Sequence, residues 1–69
     1  MLQKKSFSLS GHRTSVALEV EFWKVLEAQA ARSRRSLAAY VSEIDAKREA
    51  RPLASALRLA ALAAASAKS

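Results

Sequence analysis

The stretch that decides the fold is GHRTSVALEVEFWKVL, residues 11–26, because its hydrophobic period changes partway along. In its first half Thr14, Val16 and Leu18 alternate with polar or small residues, a pattern typical of a strand with one buried face. In its second half the apolar residues recur at the spacing of one helix face, beginning with Phe22. The stretch therefore predicts a short β-strand that leads directly into an α-helix.

The predicted strand has no evident partner within the chain. Its backbone donors and acceptors would be left unpaired, which is costly if they are buried. The same strand of a second copy, aligned antiparallel around a two-fold axis, would pair them. We therefore expect a homodimer with a two-stranded ribbon whose outer face carries Arg13, Ser15 and Ala17 of both chains. Such a ribbon fits the major groove of B-form DNA, where arginine reads guanine and serine reads several bases.

Length, composition and charge favour the same conclusion. A chain of 69 residues forms one domain, and domains of this size are usually marginal without disulfides, metal or a partner. The chain has no cysteine and one histidine, so disulfides are excluded and no metal site is expected. The formal charge of +6 favours a polyanion such as nucleic acid as the partner, with solubility alone as the alternative.

Downstream of the strand the sequence predicts three helices. The first runs from about Val20 to Ser33, and Ser36 is a good N-cap for the second. The second should end near Ala50, since Pro52 disfavours helical geometry in the residue before it and suits the first turn of a third helix. The third helix is alanine-rich, and its apolar face is built from Leu53, Ala56, Leu57, Ala60 and Ala61, widened by Leu59 and Leu62.

Residues 1–11 are polar and basic, with only a weak alternation of Phe7 and Leu9. They predict either a flexible basic arm or a short extended segment that folds back before Gly11. We therefore divide the chain into an N-terminal arm or extended segment (1–11), a strand–helix–helix domain (12–50) and a C-terminal helix (51–69).

Five short motifs follow one another in a specific order: GHRTSVALE (11–19), FW (22–23), SL (36–37), EID (43–45) and LASALR (53–58). In this order the chain resembles a bacterial branch of the ribbon–helix–helix family, the family of the Arc and MetJ repressors. The residue pattern predicts a mostly α fold with one short β-strand and a C-terminal third helix. The resemblance, which covers roughly Arg13 to Ala50, implies a ribbon–helix–helix fold and an intertwined homodimer with a two-stranded antiparallel ribbon.

The resemblance also assigns roles to residues. The outward strand residues that would contact bases are Arg13, Ser15 and Ala17. The start of the second helix would bind a DNA phosphate through its backbone N–H groups, as helix N-termini do. The complete set of predicted phosphate contacts is Lys4, Lys5, His12, Arg34, Arg35, Ser36 and Leu37. The predicted dimer core is Thr14, Val16, Leu18, Phe22, Val25, Leu26, Leu37, Tyr40, Val41 and Ile44. Many relatives have glycine between the two helices, where this chain offers Ser33 or Arg34 for a left-handed residue.

These features predict a dimeric, sequence-specific transcriptional regulator, a repressor, that binds double-stranded DNA in the cytoplasm at the nucleoid. The dimer could assemble further into a dimer of dimers. The alternative is an antitoxin or adaptor that binds a toxin or another protein through its C-terminal helix. Attachment to a membrane surface is disfavoured because that helix carries few cations and no tryptophan. No catalytic arrangement, cofactor site or metal site is predicted, because the chain lacks a glycine-rich phosphate loop and any sheltered histidine–carboxylate pair.

Overall fold

The computed structural model describes residues 1–67 and contains a β-hairpin followed by three helices. The elements are β1 (Leu2–Leu9), β2 (His12–Glu19), α1 (Val20–Arg32), α2 (Leu37–Lys47) and α3 (Leu53–Ala67). One face of the hairpin packs against the helices, and the other face is exposed to solvent. Within residues 1–67, no helix is both long enough and apolar enough to cross a membrane.

The prediction of a single strand is wrong, because β1 forms a second strand that runs antiparallel to β2. The two-residue turn Ser10–Gly11 joins the strands, and Leu9 pairs with His12 across it. Both turn residues have positive φ, 52° for the serine and 81° for the glycine, as the tightest hairpin turns require. Since β2 has a partner within its own chain, an unpaired strand no longer argues for a dimer.

The first strand is fixed to α1 by Trp23, which is 1% exposed. Its indole Nε1 donates a hydrogen bond to the backbone carbonyl of Gln3 at 2.7 Å. Its ring centroid lies 5.9 Å from that of Phe7 in a tilted arrangement. A buried tryptophan whose N–H is satisfied contributes a large apolar area at no polar cost. Of the two alternatives for the N-terminal segment, the structure therefore has the extended one that folds back.

The turn between the first two helices agrees with the sequence-based prediction. The first helix begins at Val20 and ends at Arg32, within one residue of the expected end. Arg34 adopts a left-handed φ of 57° at one of the two predicted positions. Ser36 is the N-cap of α2, since its Oγ accepts a hydrogen bond from the backbone N–H of Ala39 at 3.0 Å. This bond satisfies one of the free donors at the helix start.

The second helix ends earlier than predicted, at Lys47 rather than near Ala50. Arg48 caps it in a helical conformation, and Glu49 then takes a left-handed φ of 57°. A left-handed residue cannot continue an α-helix. The chain therefore leaves the helix before the restriction imposed by Pro52 is reached.

One hydrophobic core joins the hairpin to all three helices. Its buried residues are Phe7, Leu9, Val16, Leu18, Trp23, Leu26, Val41, Leu53, Leu57 and Ala61. Segments 1–11 and 51–69 both contribute to it, so the core extends beyond residues 12–50.

The residues predicted for a dimer core occupy three environments. Four are buried within this chain: Val16, Leu18, Leu26 and Val41. Five are partly buried and pack against the core: Phe22, Val25, Leu37, Tyr40 and Ile44. Thr14 is half-buried on β2. Leu59 and Leu62 do not widen the buried face of α3, because they are 46% and 54% exposed.

Candidate nucleic-acid interface

The three residues predicted to contact bases lie together on the outer face of β2. Arg13, Ser15 and Ala17 are exposed. Val16, which lies between Ser15 and Ala17, and Leu18, which follows Ala17, are buried. This alternation follows from the pleat of the strand, which sends successive side chains to opposite faces. The core fixes the inward residues and thereby presents the outward ones to solvent.

The first strand adds three further residues to the same face. Lys4 pairs with Ala17, Ser6 with Ser15, and Ser8 with Arg13. Directly paired residues of antiparallel strands have their side chains on the same side of the sheet. We call the exposed side formed by Lys4, Ser6, Ser8, Arg13, Ser15 and Ala17 the outer hairpin face. The sequence-based interpretation missed both serines of β1, although the Ser-Gly dipeptide at residues 10–11 is a known turn signal.

The two paired serines near the middle of the outer hairpin face touch each other. The Oγ atoms of Ser6 and Ser15 are 2.9 Å apart, a hydrogen-bond distance. A hydroxyl has one donor and two acceptor positions, so each serine keeps capacity for another partner. The two hydroxyls can therefore donate a hydrogen bond to a base edge, or accept one from it, while they remain hydrogen-bonded to each other.

Lys5 and His12 do not belong to the outer hairpin face. Lys5 lies on the opposite side of β1, where its Nζ is 3.5 Å from an oxygen of Glu27 and 5.7 Å from the ring centroid of Trp23. His12 is exposed beside the hairpin turn, in register with Leu9. Of the two neighbouring lysines predicted to bind phosphate, the structure thus groups only Lys4 with the residues predicted to contact bases.

The remaining predicted phosphate contacts lie at the turn before α2. Arg35 is already engaged, since its Nη1 is 2.9 Å from a Glu43 oxygen and its guanidinium lies 5.7 Å from the ring centroid of Tyr40. Arg34 is exposed and has no ion pair within residues 1–67. An anion at this turn would be held by the backbone N–H groups of the first turn of α2, which begins at Leu37.

The open end of the hairpin carries an acidic residue that is held by α3. Arg58 donates to both carboxylate oxygens of Glu19, with distances of 3.0 Å and 3.4 Å. Hydrogen bonds from Arg58, followed by one from the backbone of Glu19 itself, hold the pKa of the Glu19 carboxyl below its ordinary value of 4.5. In the strand register Glu19 follows Ala17 on the same side of the sheet, and its charge at this end of the outer hairpin face is balanced by Arg58 of α3.

We expect Glu19→Gln to lower the melting temperature above pH 4.5 by more than it does at lower pH. A lowered pKa contributes stability that is complete above the ordinary value and is lost as the pH falls through the folded-state value. The measurement is thermal unfolding of both proteins as a function of pH. Glu21→Gln is the control, because Glu21 is exposed and has no ion pair within residues 1–67. An equal, pH-dependent gap in both variants would contradict a specific effect of Arg58.

Within residues 1–67 there is no group of three or more histidine, cysteine, aspartate or glutamate side chains that could hold a metal ion. The side chains of the outer hairpin face offer hydrogen-bond donors, hydroxyl acceptors and positive charge. Neither Lys4 nor Arg13 has an ion-pair partner in this part of the chain, so both charges are available to an external anion.

Comparison with known proteins gives one result. A family model described as a ribbon-helix-helix domain matches residues 2–65. No curated protein and no solved structure matches at a significant level. The matched residues include both strands and most of the third helix, so β1 and the greater part of α3 belong to the matched domain.

Proposed function

Because this chain belongs to the ribbon-helix-helix domain family, whose members are DNA-binding regulators that act as dimers and are typically non-enzymatic, we propose that it is a sequence-specific transcriptional repressor. It acts by inserting a β-ribbon into the major groove of its operator. Arg13 and Ser15 contact base edges, and Ala17 contacts a thymine methyl group.

The observation that carries this proposal is the chemistry of the outer hairpin face. Its opposite side is packed into the core, so this face is the one the hairpin can present to a ligand. It carries two cations without an ion-pair partner in residues 1–67, Lys4 and Arg13. No carboxylate lies on the face between these two residues. Its remaining side chains are three serines and one alanine, which are small enough to let the backbone approach the base edges closely. A positively charged, narrow and hydroxyl-rich ribbon is complementary to the floor of the major groove.

Further contacts to the DNA backbone would orient the ribbon. We assign these to the N-terminal turn of α2, with Ser36 and Leu37 at its start and the free Arg34 beside it. Phosphate contacts of this kind fix the register of a protein on DNA without carrying sequence information. The dimer contact is assigned to half-buried apolar side chains of α1 and α2, such as Val25 and Ile44, which keep some exposed area at the edge of the core.

The experiment that tests the proposal is selection of binding sites from random double-stranded DNA at near-physiological salt. A two-fold symmetric dimer should enrich an inverted repeat. Sedimentation of the protein with the enriched site should give two chains, or a multiple of two, per repeat. Weak and unselective recovery would leave only electrostatic attraction to phosphates and would contradict a sequence-reading role.

The alternative function, an antitoxin or adaptor that grips a protein through its C-terminal helix, has less support. Leu53, Leu57 and Ala61 of α3 are buried in the chain's own core and are unavailable to a partner. The apolar surface that α3 still offers includes Leu59 and Leu62. A partner would therefore have to bind the side of α3 that faces away from the hairpin and α1.

A further inference from the structure

The two strands of the hairpin resemble each other at a spacing of nine residues. Residues 3–9 of β1 read QKKSFSL, and residues 12–18 of β2 read HRTSVAL. Both segments show the same succession of environments, namely two exposed residues, one half-buried residue, and then exposed, buried, exposed and buried residues. Both also carry a cation and a serine at matching outward positions, and large apolar side chains at matching inward positions. Strand β1 is therefore a chemical copy of β2.

The strand register shows for which strand β1 could substitute. Ser6 lies opposite Ser15, the middle one of the three outward residues of β2. If the β2 strands of two copies paired antiparallel about a two-fold axis at Ser15, each β2 residue would face the residue nine positions after its present partner on β1. Arg13 of the second copy would then take the place of Lys4, and Ser15 of the second copy that of Ser6. Strand β1 thus presents to β2 nearly the side chains that a second copy would present.

Dimensions require β1 to leave before a ribbon made by two chains can enter the major groove. Neighbouring strands are about 4.8 Å apart, and the groove is about 12 Å wide. If β1 stayed in place while a second copy used the other edge of β2, the sheet would have four strands, with about 14 Å between its outer strand axes. Such a sheet exceeds the groove, whereas two β2 strands, one from each chain, fit into it.

We infer that β1 occupies, in the single chain, the edge of β2 to which the β2 strand of a second copy binds in the DNA-bound dimer. Dimerisation then exchanges one strand for the other. This inference rests on the function proposed above, and the partner that fits the edge is a second copy of this chain. Because β1 is tethered, it competes at a constant local concentration, whereas the second copy competes at the concentration of the protein. DNA binds the exchanged form and so shifts the population towards it.

The contacts that hold β1 determine how readily the exchange occurs. Trp23 donates to a backbone carbonyl of β1 and packs against the ring of Phe7. The Nζ atom of Lys5 is 3.5 Å from a carboxylate oxygen of Glu27. The residues at the matching positions of β2 are a smaller valine and an uncharged threonine, so these side-chain contacts are particular to β1. A variant that weakens one of them and leaves β2 intact should therefore favour the exchanged dimer.

The first test locks β1 onto β2. The chain has no cysteine, and the Oγ atoms of Ser6 and Ser15 are 2.9 Å apart. The full-length double variant Ser6→Cys, Ser15→Cys can therefore form an internal disulfide with little movement of the backbone. The oxidised protein should remain monomeric in sedimentation at concentrations at which its reduced form dimerises. It should also bind the selected operator about 100-fold more weakly, since a single chain lacks the avidity of two. The reduced protein controls for the loss of both hydroxyls.

The second test loosens β1 without altering β2. Lys5→Ala removes the contact with Glu27 and should tighten self-association in the absence of DNA by about 2- to 5-fold. Lys24→Ala is the charge-matched control, because Lys24 is exposed on α1 and has no ion pair within residues 1–67. It reduces the repulsion between two basic chains by the same charge and leaves the contacts of β1 unchanged. Sedimentation of the wild type and both variants over a series of concentrations gives the dimer dissociation constants.

The outcomes separate this inference from the proposed function. Monomers that form on oxidation and regain dimerisation and operator binding on reduction support the exchange. If the oxidised double variant dimerises and binds the operator as its reduced form does, β1 stays paired in the dimer and the inference is overturned, while the proposed function stands. Self-association of Lys5→Ala that is no tighter than that of Lys24→Ala also overturns the inference. If the wild type selects no DNA sequence, the proposed function fails, whereas dimerisation by the reduced form alone still supports the exchange.

Discussion

Arg13→Ala is expected to weaken binding to the selected DNA site by about 1–3 kcal/mol and to relax discrimination at one base position. The arginine is exposed on the outer hairpin face, lies opposite the small Ser8, and has no ion pair within residues 1–67. Its guanidinium can therefore form two parallel hydrogen bonds to a guanine without first breaking an internal ion pair. Titration of a labelled operator and of single-base variants of it measures both effects.

Two further variants separate charge from geometry at this position. Arg13→Lys keeps the charge but loses the fork of donors, so it should bind with nearly the wild-type salt dependence and reduced discrimination. Arg32→Ala removes one charge from the exposed end of α1 and should preserve the base preference. If Arg13→Ala binds the operator as tightly as the wild type and discriminates as well, the assignment of the ribbon is wrong.

Leu57→Ala is expected to lower the free energy of unfolding by about 2–5 kcal/mol, the cost of deleting buried methyl groups and leaving a cavity. Leu57 is fully buried on α3 and belongs to the core that also contains Leu18 and Leu26. Small domains have only about 5–15 kcal/mol of total stability, so this loss would be a large fraction of it. Chemical denaturation followed by circular dichroism gives the value. Leu57→Met, which conserves volume, should cost less than about 1.5 kcal/mol and remains measurable if the alanine variant does not fold.

Leu62→Ala is the matched control, since it makes the same substitution on the same helix at a side chain that is 54% exposed. Its stability should stay within about 0.5 kcal/mol of the wild type. If both alanine variants were as stable as the wild type, α3 would not be part of the core. In that case the antitoxin or adaptor function would become the stronger one.

Local patterns in the sequence are sufficient to predict most of the helical framework and β2. The start of α1 at Val20, the cap at Ser36 and the left-handed Arg34 depend on short-range chemistry that the sequence displays directly. The predicted end of α2 is too late because Pro52 is visible in the sequence, whereas the left-handed φ of Glu49 is not.

The pattern of β1 is too weak to distinguish a strand from a flexible arm. Only Phe7 and Leu9 alternate clearly, and Lys5 occupies an inward position where an apolar residue would be expected. The structure explains this exception, since Glu27 and the face of Trp23 accommodate the lysine at the edge of the core. Contacts between residues so far apart along the chain cannot be inferred from local periodicity.

The candidate site is predictable where it depends on alternation and unpredictable where it depends on pairing. The outward position of Arg13, Ser15 and Ala17 follows from the buried residues between them. The separation of Lys4 from Lys5 follows only from the strand register, because both lysines look alike in a polar, basic segment. The contact between the Ser6 and Ser15 hydroxyls likewise requires the register to be known.

The two-residue turn at Ser10–Gly11 also has a kinetic consequence. Isolated hairpins form in about 1–10 μs, because closing a short loop costs little entropy. An intertwined dimer must wait for a second chain before its ribbon exists, so its assembly slows as the number of copies in a cell falls. Here the hairpin and the core that supports it come from one chain. A newly made chain can thus complete its fold in a unimolecular reaction, and the meeting of two chains becomes a later and separate event.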